Sequence, residues 1–387
     1  MKINYSKQFI DKKDINLVAQ SLKSELITQG SYVMKFENEI KKYFKSKYCS
    51  AVSNGTAALY LSCRALGWKK GDTIITSPIT FIASANSIEA VGARTELVDI
   101  DPDTNCLDLN KLETKIKKLK KKIKGIVAVD YAGQPCYWQE IKYICKKYRL
   151  KIINDNCHAL GASYKGSKSY AAKYADIVCQ SYHPVKNFTT GEGGSILTND
   201  KNIYQRVNIL KSHGIERDKK NFVYKKNLSD WYYEAQDISF NFRISDINCA
   251  LGISQLKKLN KFVEYRKKVA MIYDKEFKNL EYILTPKKIS TTSHAYHLYP
   301  IRIDFDKLKL DKKKFFNFFF KKNFKLQVHY IPIYMHPYFK KKYNYNLRDL
   351  MESYKFYKET VSIPNYYGLS KNQQYRFINL LKGYVSK

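Results

Sequence analysis

The sequence predicts an α/β protein, with a seven-stranded, mainly parallel sheet covered by helices on both faces and a smaller C-terminal α+β domain. Three observations lead there. Seven short runs rich in Ile, Val and Thr read as buried strands: Tyr48 to Val52, Thr73 to Thr76, Thr95 to Asp99, Gly125 to Asp130, Lys151 to Asn154, Asp176 to Gln180 and Ser195 to Thr198. Most segments between them are long enough for crossover helices, as parallel strands require. From about residue 256 the pattern changes to short strands and lysine-rich helices, which divides the chain into a large unit, 1–255, and a small one, 256–387.

The chain opens on an amphipathic segment in which Ile15, Val18, Ala19, Leu22 and Leu26 recur at helical spacing, with a stop expected near Thr28, Gln29 and Gly30. A second helix, Val33 to Phe44, carries Phe36, Ile40 and Phe44 on one side. Thr56 to Leu66, Ile82 to Ala90 and Trp138 to Tyr148 supply crossover helices. In TKIKKLKKKIKG, Ile116, Leu119 and Ile123 keep helical spacing, so the lysines form a solvated face. The gap between Gln180 and Ser195 is short and holds Gly191, Gly193 and Gly194, so the strand after it is expected to run antiparallel. Beyond it come helices within Gln255 to Phe277, the strand-like YHLYPIRID, a segment with one buried side at Phe315 to Phe320, and an amphipathic helix near Gln373 to Leu381.

Composition narrows the function. The 387 residues carry 69 Lys and Arg against 35 Asp and Glu, a formal net charge of +34. The lysines are spread along the whole chain, which argues against a nucleic-acid groove and for a general attraction of anionic small molecules. No apolar run approaches the ~18 residues of a bilayer-spanning helix. The N-terminus lacks a continuous apolar stretch of signal-peptide type, so a cytoplasmic location is expected. The eight cysteines form no CxxC pair, which supports buried reduced thiols and no metal site.

The chemistry concentrates between residues 151 and 198. Asp155 follows one strand, and Ser181 then Lys186 follow the next, where open α/β sheets place their ligands. Lys186 is flanked by Val185, Pro184 and His183 before it and Asn187 and Phe188 after it. An amine held among apolar groups loses part of its preference for the ammonium form and becomes a usable nucleophile. This acid, hydroxyl and lysine suit pyridoxal phosphate: a carboxylate for the pyridinium nitrogen, a lysine for the aldehyde, a serine for the phosphate. Residues 53–57, SNGTA, follow the first strand and open a helix whose free amides favour an anion, with Gly55 allowing close approach and Thr56 adding a hydroxyl. An ordinary turn capped by Ser53 or Asn54 explains that stretch equally well taken alone. It matches neither a Walker loop nor GxGxxG. Phe81 suits the cover of a flat ring, although such an aromatic is more often plain core.

SYHPVKNFTTGEGG, SNGTAAL, INDNCHALGASY, TQGSYVMKFE and FNFRISDINCALGISQL together resemble the DegT/DnrJ/EryC1/StrS family of nucleotide-sugar aminotransferases, nearly throughout the chain and in the family's order. The resemblance implies the aspartate-aminotransferase fold (fold type I of the pyridoxal-phosphate enzymes). DYAGQPC, SHAYHLYPIRI and QVHYIPIYMHPYF resemble the branch that aminates C4 of a UDP-4-keto-6-deoxy-N-acetylhexosamine in pseudaminic acid biosynthesis, with glutamate as the implied donor. Carried over by position, Lys186 is the catalytic lysine that joins the cofactor. Asp155 pairs with its ring nitrogen, His158 lies near its phenolic oxygen, and Phe81 stacks on the ring. Gly55, Thr56 and Ser181 hold the phosphate, and Asn241 reaches the phosphate of a neighbouring subunit, implying a homodimer with shared sites. Thr28, Gln29 and His329 match positions that line the sugar-nucleotide pocket. Asn154 departs from the Glu or Ser that relatives often carry there. The nearest alternatives are an aminotransferase for another 3- or 4-keto nucleotide sugar and a non-catalytic regulator built on the same fold.

Overall fold

The computed structural model describes residues 2–119, 122–224 and 229–385. Its centre is a seven-stranded sheet of β1 (Tyr48–Val52), β2 (Thr73–Thr76), β3 (Arg94–Leu97), β4 (Ile123–Val129), β5 (Lys151–Asp155), β6 (Ile177–Ser181) and β7 (Gly194–Thr198). They lie in the order β1-β7-β6-β5-β4-β2-β3. Only β7 runs antiparallel, to both of its neighbours; the other adjacent pairs are parallel. The expected topology therefore stands, with strand ends displaced by a residue or two.

Two-sided burial explains the unbroken apolar runs of these strands. Along β5, Ile153 faces a core that includes Val52, Ile74, Val127 and Ile177, roofed by Ala57, Ala58 and Leu61 of α3 (Gly55–Ala65). Ile152 faces the opposite core, with Ile126, Val178 and Leu197. That side is covered by α2 (Ser31–Phe44), whose Phe36, Ile40 and Phe44 are buried as expected, and by α6 (Trp138–Lys147) through Trp138 and Ile141. Helix α4 (Ala83–Ala90) follows β2, and α5 (Leu109–Leu119) precedes β4.

Two expectations are corrected. Helix α1 (Lys12–Leu22) ends before the predicted stop and turns its polar side inward: Asp14 and Ser21 are buried, while Ile15, Leu22 and Leu26 are 59%, 56% and 55% exposed. The cause is specific pairing. Asp11 and Asp14 form a capping box, Gln255 Nε2 donates to Asp14 at 2.7 Å, and Lys258 Nζ lies 2.8 Å from the same carboxylate. Ile123 likewise does not continue α5, because its pairing with Thr73 makes it the first residue of β4; Lys120 and Lys121 of that run lie outside the described residues.

After α7 (Asp246–Leu256) and α8 (Leu259–Phe277) the chain builds a three-stranded antiparallel sheet of β8 (Ile283–Leu284), β9 (Tyr299–Ile303) and β10 (Thr360–Ile363). Phe315 and Phe319 of α9 (Lys312–Lys321) and Phe377, Ile378 and Leu381 of α10 (Lys371–Val385) fill its core. Ile3 joins the same core, since Ile3–Asn4 pairs with Phe324–Lys325. All eight cysteines are free thiols, seven buried and Cys157 partly exposed. Among the described residues, no helix is long and apolar enough to cross a membrane, and no group of His, Cys, Asp or Glu could hold a metal ion.

Candidate active site

The C-terminal ends of β1, β5 and β6 open at one edge of the sheet, onto a cleft of about 710 Å³ whose opposite wall is the segment from Gln327 to Ile331. Register decides what meets there. Gly194 pairs with Val52 on one side and Ser181 on the other, so the turn after β1 lies directly beside the end of β6. A Cβ on Gly55 would stand 2.7 Å from Ser181 Cβ, so glycine is what permits this approach. Asn54 caps α3: its side chain accepts from Ala57 N at 2.8 Å and its carbonyl from Ala58 N at 3.1 Å. Gly55, Thr56 and Ser181 all line the cleft, so the first turn of the helix, whose amides have no intrahelical partner, and two hydroxyls make a cradle with donors suited to a phosphate.

Asp155 ends β5 on the cleft floor and is 5% exposed. Ser84 Oγ donates to its Oδ2 at 2.6 Å, Cys157 N to its Oδ1 at 3.2 Å, and Thr80 Oγ1 lies 2.8 Å from Ser84 Oγ. Because Ser84 spends its proton on the carboxylate, Thr80 donates to Ser84, and the chain of hydroxyls sets the carboxylate's orientation. Lys186 lines the same cleft and is partly buried. Burial lowers the pKa of its amine, while the nearby Cys157 and Asp155 pull it the other way.

His158 is buried and held well below the usual histidine range, first by desolvation and then by Lys186 and His329. Ala132 N donates to its Nδ1 at 3.3 Å, so the neutral ring carries its proton on Nε2, which donates to Tyr330 Oη at 3.1 Å. The ring packs between Tyr330, 5.9 Å away, and His297, 4.5 Å away. Phe81, 53% exposed, forms an apolar wall 5.9 Å from the Tyr330 ring. His329 lines the same wall, its Nδ1 2.8 Å from Ser362 Oγ and its pKa pushed down to about 3 by burial.

Gly55, Thr56, Phe81, Asp155, His158, Ser181, Lys186 and His329 thus share one cleft. Thr28, Gln29 and Asn241 do not line it. Thr28 bridges to Ser245 and Asn241 to Ser212, and Asn241 Oδ1 accepts from Arg243 N at 3.1 Å. Gln29 borders a second cavity of about 480 Å³ with Arg217 and Arg243. Sequence reading passed over Thr80, Ser84, Tyr330 and Tyr5, which also belongs to the cleft wall. A serine in the first turn of a helix, three positions after Phe81, carries no local sign that a carboxylate lies beside it.

An isolated amine, a carboxylate held by donors, an apolar wall and an amide-and-hydroxyl cradle fit pyridoxal phosphate part by part, and with this sheet they define a pyridoxal-phosphate-dependent aminotransferase. Residues 8–382 match the DegT/DnrJ/EryC1/StrS aminotransferase family, to which the chain belongs. It is 38% identical over 362 residues to UDP-4-amino-4,6-dideoxy-N-acetyl-beta-L-altrosamine transaminase of Campylobacter jejuni, covering 94% of this chain and 92% of that one. Its structure is similar to that of Helicobacter pylori PseC, an aminotransferase of pseudaminic acid biosynthesis, with a TM-score of 0.90, 29% identity and full coverage of both chains. It is also similar to the PLP-form of Spr1654 from Streptococcus pneumoniae, with a TM-score of 0.89 and 26% identity over 100% of this chain and 99% of that one.

Proposed function

We propose that this protein transfers an amino group, with glutamate as donor, to C4 of a UDP-4-keto-6-deoxy-N-acetylhexosamine, the 4-keto sugar of the pseudaminic acid route. The observation that carries the reading is Lys186, an amine in the one cleft that Asp155, Gly55 and Ser181 also line. The relative from C. jejuni, named for this transamination and aligned along 94% of the chain, supports the choice of sugar.

Bound pyridoxal phosphate supplies an electron sink through which an amino group passes from an amino acid to a ketone. Gly55, Thr56 and Ser181 would hold its phosphate. Asp155, oriented by Ser84 and the Cys157 amide, would keep the ring nitrogen protonated. Phe81 would cover one ring face, and His158 would stand near the phenolic oxygen. Lys186 Nζ, its ammonium form disfavoured by burial, takes the proton from the α-carbon of the donor and later delivers one to C4 of the sugar. Delivery from the single side on which Lys186 stands sets the configuration of the new amine.

Thr28 and Gln29, with His329 on the cleft wall, would line the sugar-nucleotide pocket, and Asn241 would reach a partner's phosphate. This reading requires a homodimer. The exposed apolar residues Ile15, Leu22, Leu26 and Met34, together with Trp231, Ile238 and Phe240, offer a surface for a second copy. We take 1–255 and 256–387 as the two units that enclose the cleft. The deciding experiment incubates purified protein with glutamate, pyridoxal phosphate and a panel of 3- and 4-keto nucleotide sugars, and identifies the amino-sugar product by NMR. Amination of the UDP-4-keto-6-deoxy-N-acetylhexosamine in preference to the rest is expected. Preference for another keto-sugar would reassign the substrate, and no amino transfer to any would remove the reading.

A further inference from the structure

Arg266, in the middle of α8, is 2% exposed and has no carboxylate within ion-pair distance among the described residues. Its charge is met by neutral oxygens alone. Nη1 donates to the carbonyls of His297 at 3.2 Å, Tyr296 at 3.4 Å and Asn365. Nη2 donates to Ser6 Oγ at 3.3 Å and to the Lys186 carbonyl at 3.4 Å. Ser6 Oγ donates in turn to the Val185 carbonyl at 2.9 Å. A buried cation without a counter-charge is costly, and an apolar side chain of equal volume would fill the space at lower cost. What an apolar side chain could not do is grip four separate segments at once: the N-terminal strand region, the Lys186 loop, the segment before β9 and the one after β10.

We propose that Arg266 is the positioning residue of this site: its fork fixes the backbone of Lys186, directly and through Ser6 and Val185, and so sets the line along which the amine enters the cleft. The same fork holds the carbonyl of His297, whose ring packs 4.5 Å from His158, so both flanks of the site share one anchor. The inference rests on the reading of Lys186 as the amine that bears the cofactor, and its test separates the two. Wild-type protein with pyridoxal phosphate is reduced with borohydride and mapped by peptide; an unlabelled Lys186 would end that reading whatever Arg266 does. With Lys186 labelled, Arg266→Met and Arg266→Lys are compared with wild type for thermal midpoint, kcat, KM for the keto-sugar, and the pH midpoint of the cofactor's visible absorbance. Misaiming of the amine is expected to lower kcat about 100-fold in Arg266→Met with KM little changed. The absorbance midpoint should also move, and Arg266→Lys should recover part of both. Wild-type kcat and absorbance midpoint in Arg266→Met, with or without a lower thermal midpoint, would overturn the proposal. Should that variant not fold, Ser6→Ala cuts only the indirect link: a displaced midpoint with lowered kcat supports the positioning role, and wild-type values for both reject it.

Discussion

The role proposed for Lys186 rests on residues far from it in sequence that line the same cleft, among them Tyr5, Gly55, Asp155 and His329. Its ammonium form is disfavoured by burial, and the opposing pull of Asp155 and Cys157 keeps the shift from running further. Lys186→Ala should remain folded by circular dichroism, lose the absorbance of the lysine-bound cofactor, and lose about 10³-fold or more in turnover, since acid–base transfer alone contributes on that scale. Undiminished turnover would refute its role. Ser84 is a subtler case, one hydroxyl whose proton goes to Asp155 at 2.6 Å. Hydrogen bonds to charged groups are worth about 1.5–3 kcal/mol. Ser84→Ala is therefore expected to weaken cofactor affinity by roughly tenfold or more, read from a fluorescence titration of the apoprotein. Wild-type affinity would show that the Cys157 amide orients the carboxylate by itself.

Among the elements, the turn between β1 and α3 bears the closest backbone approach at the site. Ser181 cannot retreat from a new methyl at residue 55, because it closes β6 and is paired with Gly194. Overpacking of this kind costs about 1–3 kcal/mol. Gly55→Ala should thus lower both the thermal midpoint of the apoprotein and its cofactor affinity, measured by calorimetry and titration side by side. Equal affinity would show that the cradle has room to spare. Helix α1 teaches a different lesson. Its apolar stripe was legible in the sequence, but the direction it faces was decided by Asp14 meeting Gln255 and Lys258 more than 200 residues away.

For the whole molecule, the outward stripe of α1 sets a testable surface. If the proposed homodimer forms through this stripe, replacing Ile15 and Leu22, both more than half exposed, by lysine should yield monomers in light-scattering chromatography and reduce activity with it. An unchanged dimer would move the interface elsewhere. Acid should also act on the molecule as a unit. His158, His297 and His329 are buried and neutral, all with pKa values lowered by desolvation, His329 to about 3. In the unfolded chain each titrates near 6.5, so below that pH the unfolded state binds more protons and stability falls as pH falls, down to the folded-state values. The slope approaches about 1.4 kcal/mol per pH unit for each histidine. Thermal midpoints should decline steeply from pH 6.5 to 5, and His329→Gln should decline less steeply. A flat profile across that range would mean that these rings take up protons in the folded state.

Strand identity, the antiparallel β7 and the glycine turn could be read from the sequence, because each depends on a short stretch of chain; Asp155 and Lys186, 31 positions apart, stood out only because each follows such a strand-like run. Burial on both faces writes itself as an unbroken apolar run, and a strand followed at once by Asp155 or by Ser181 and Lys186 announces a sheet edge. What the sequence could not disclose were partners brought together by register and by the long return of the chain: Ser84 under Asp155, Tyr330 against His158, and Arg266 beneath Lys186. Nor could it disclose that Ile123 would begin a strand. Hydrogen bonds between residues far apart in the chain leave no periodic trace, so only the folded structure could assign them.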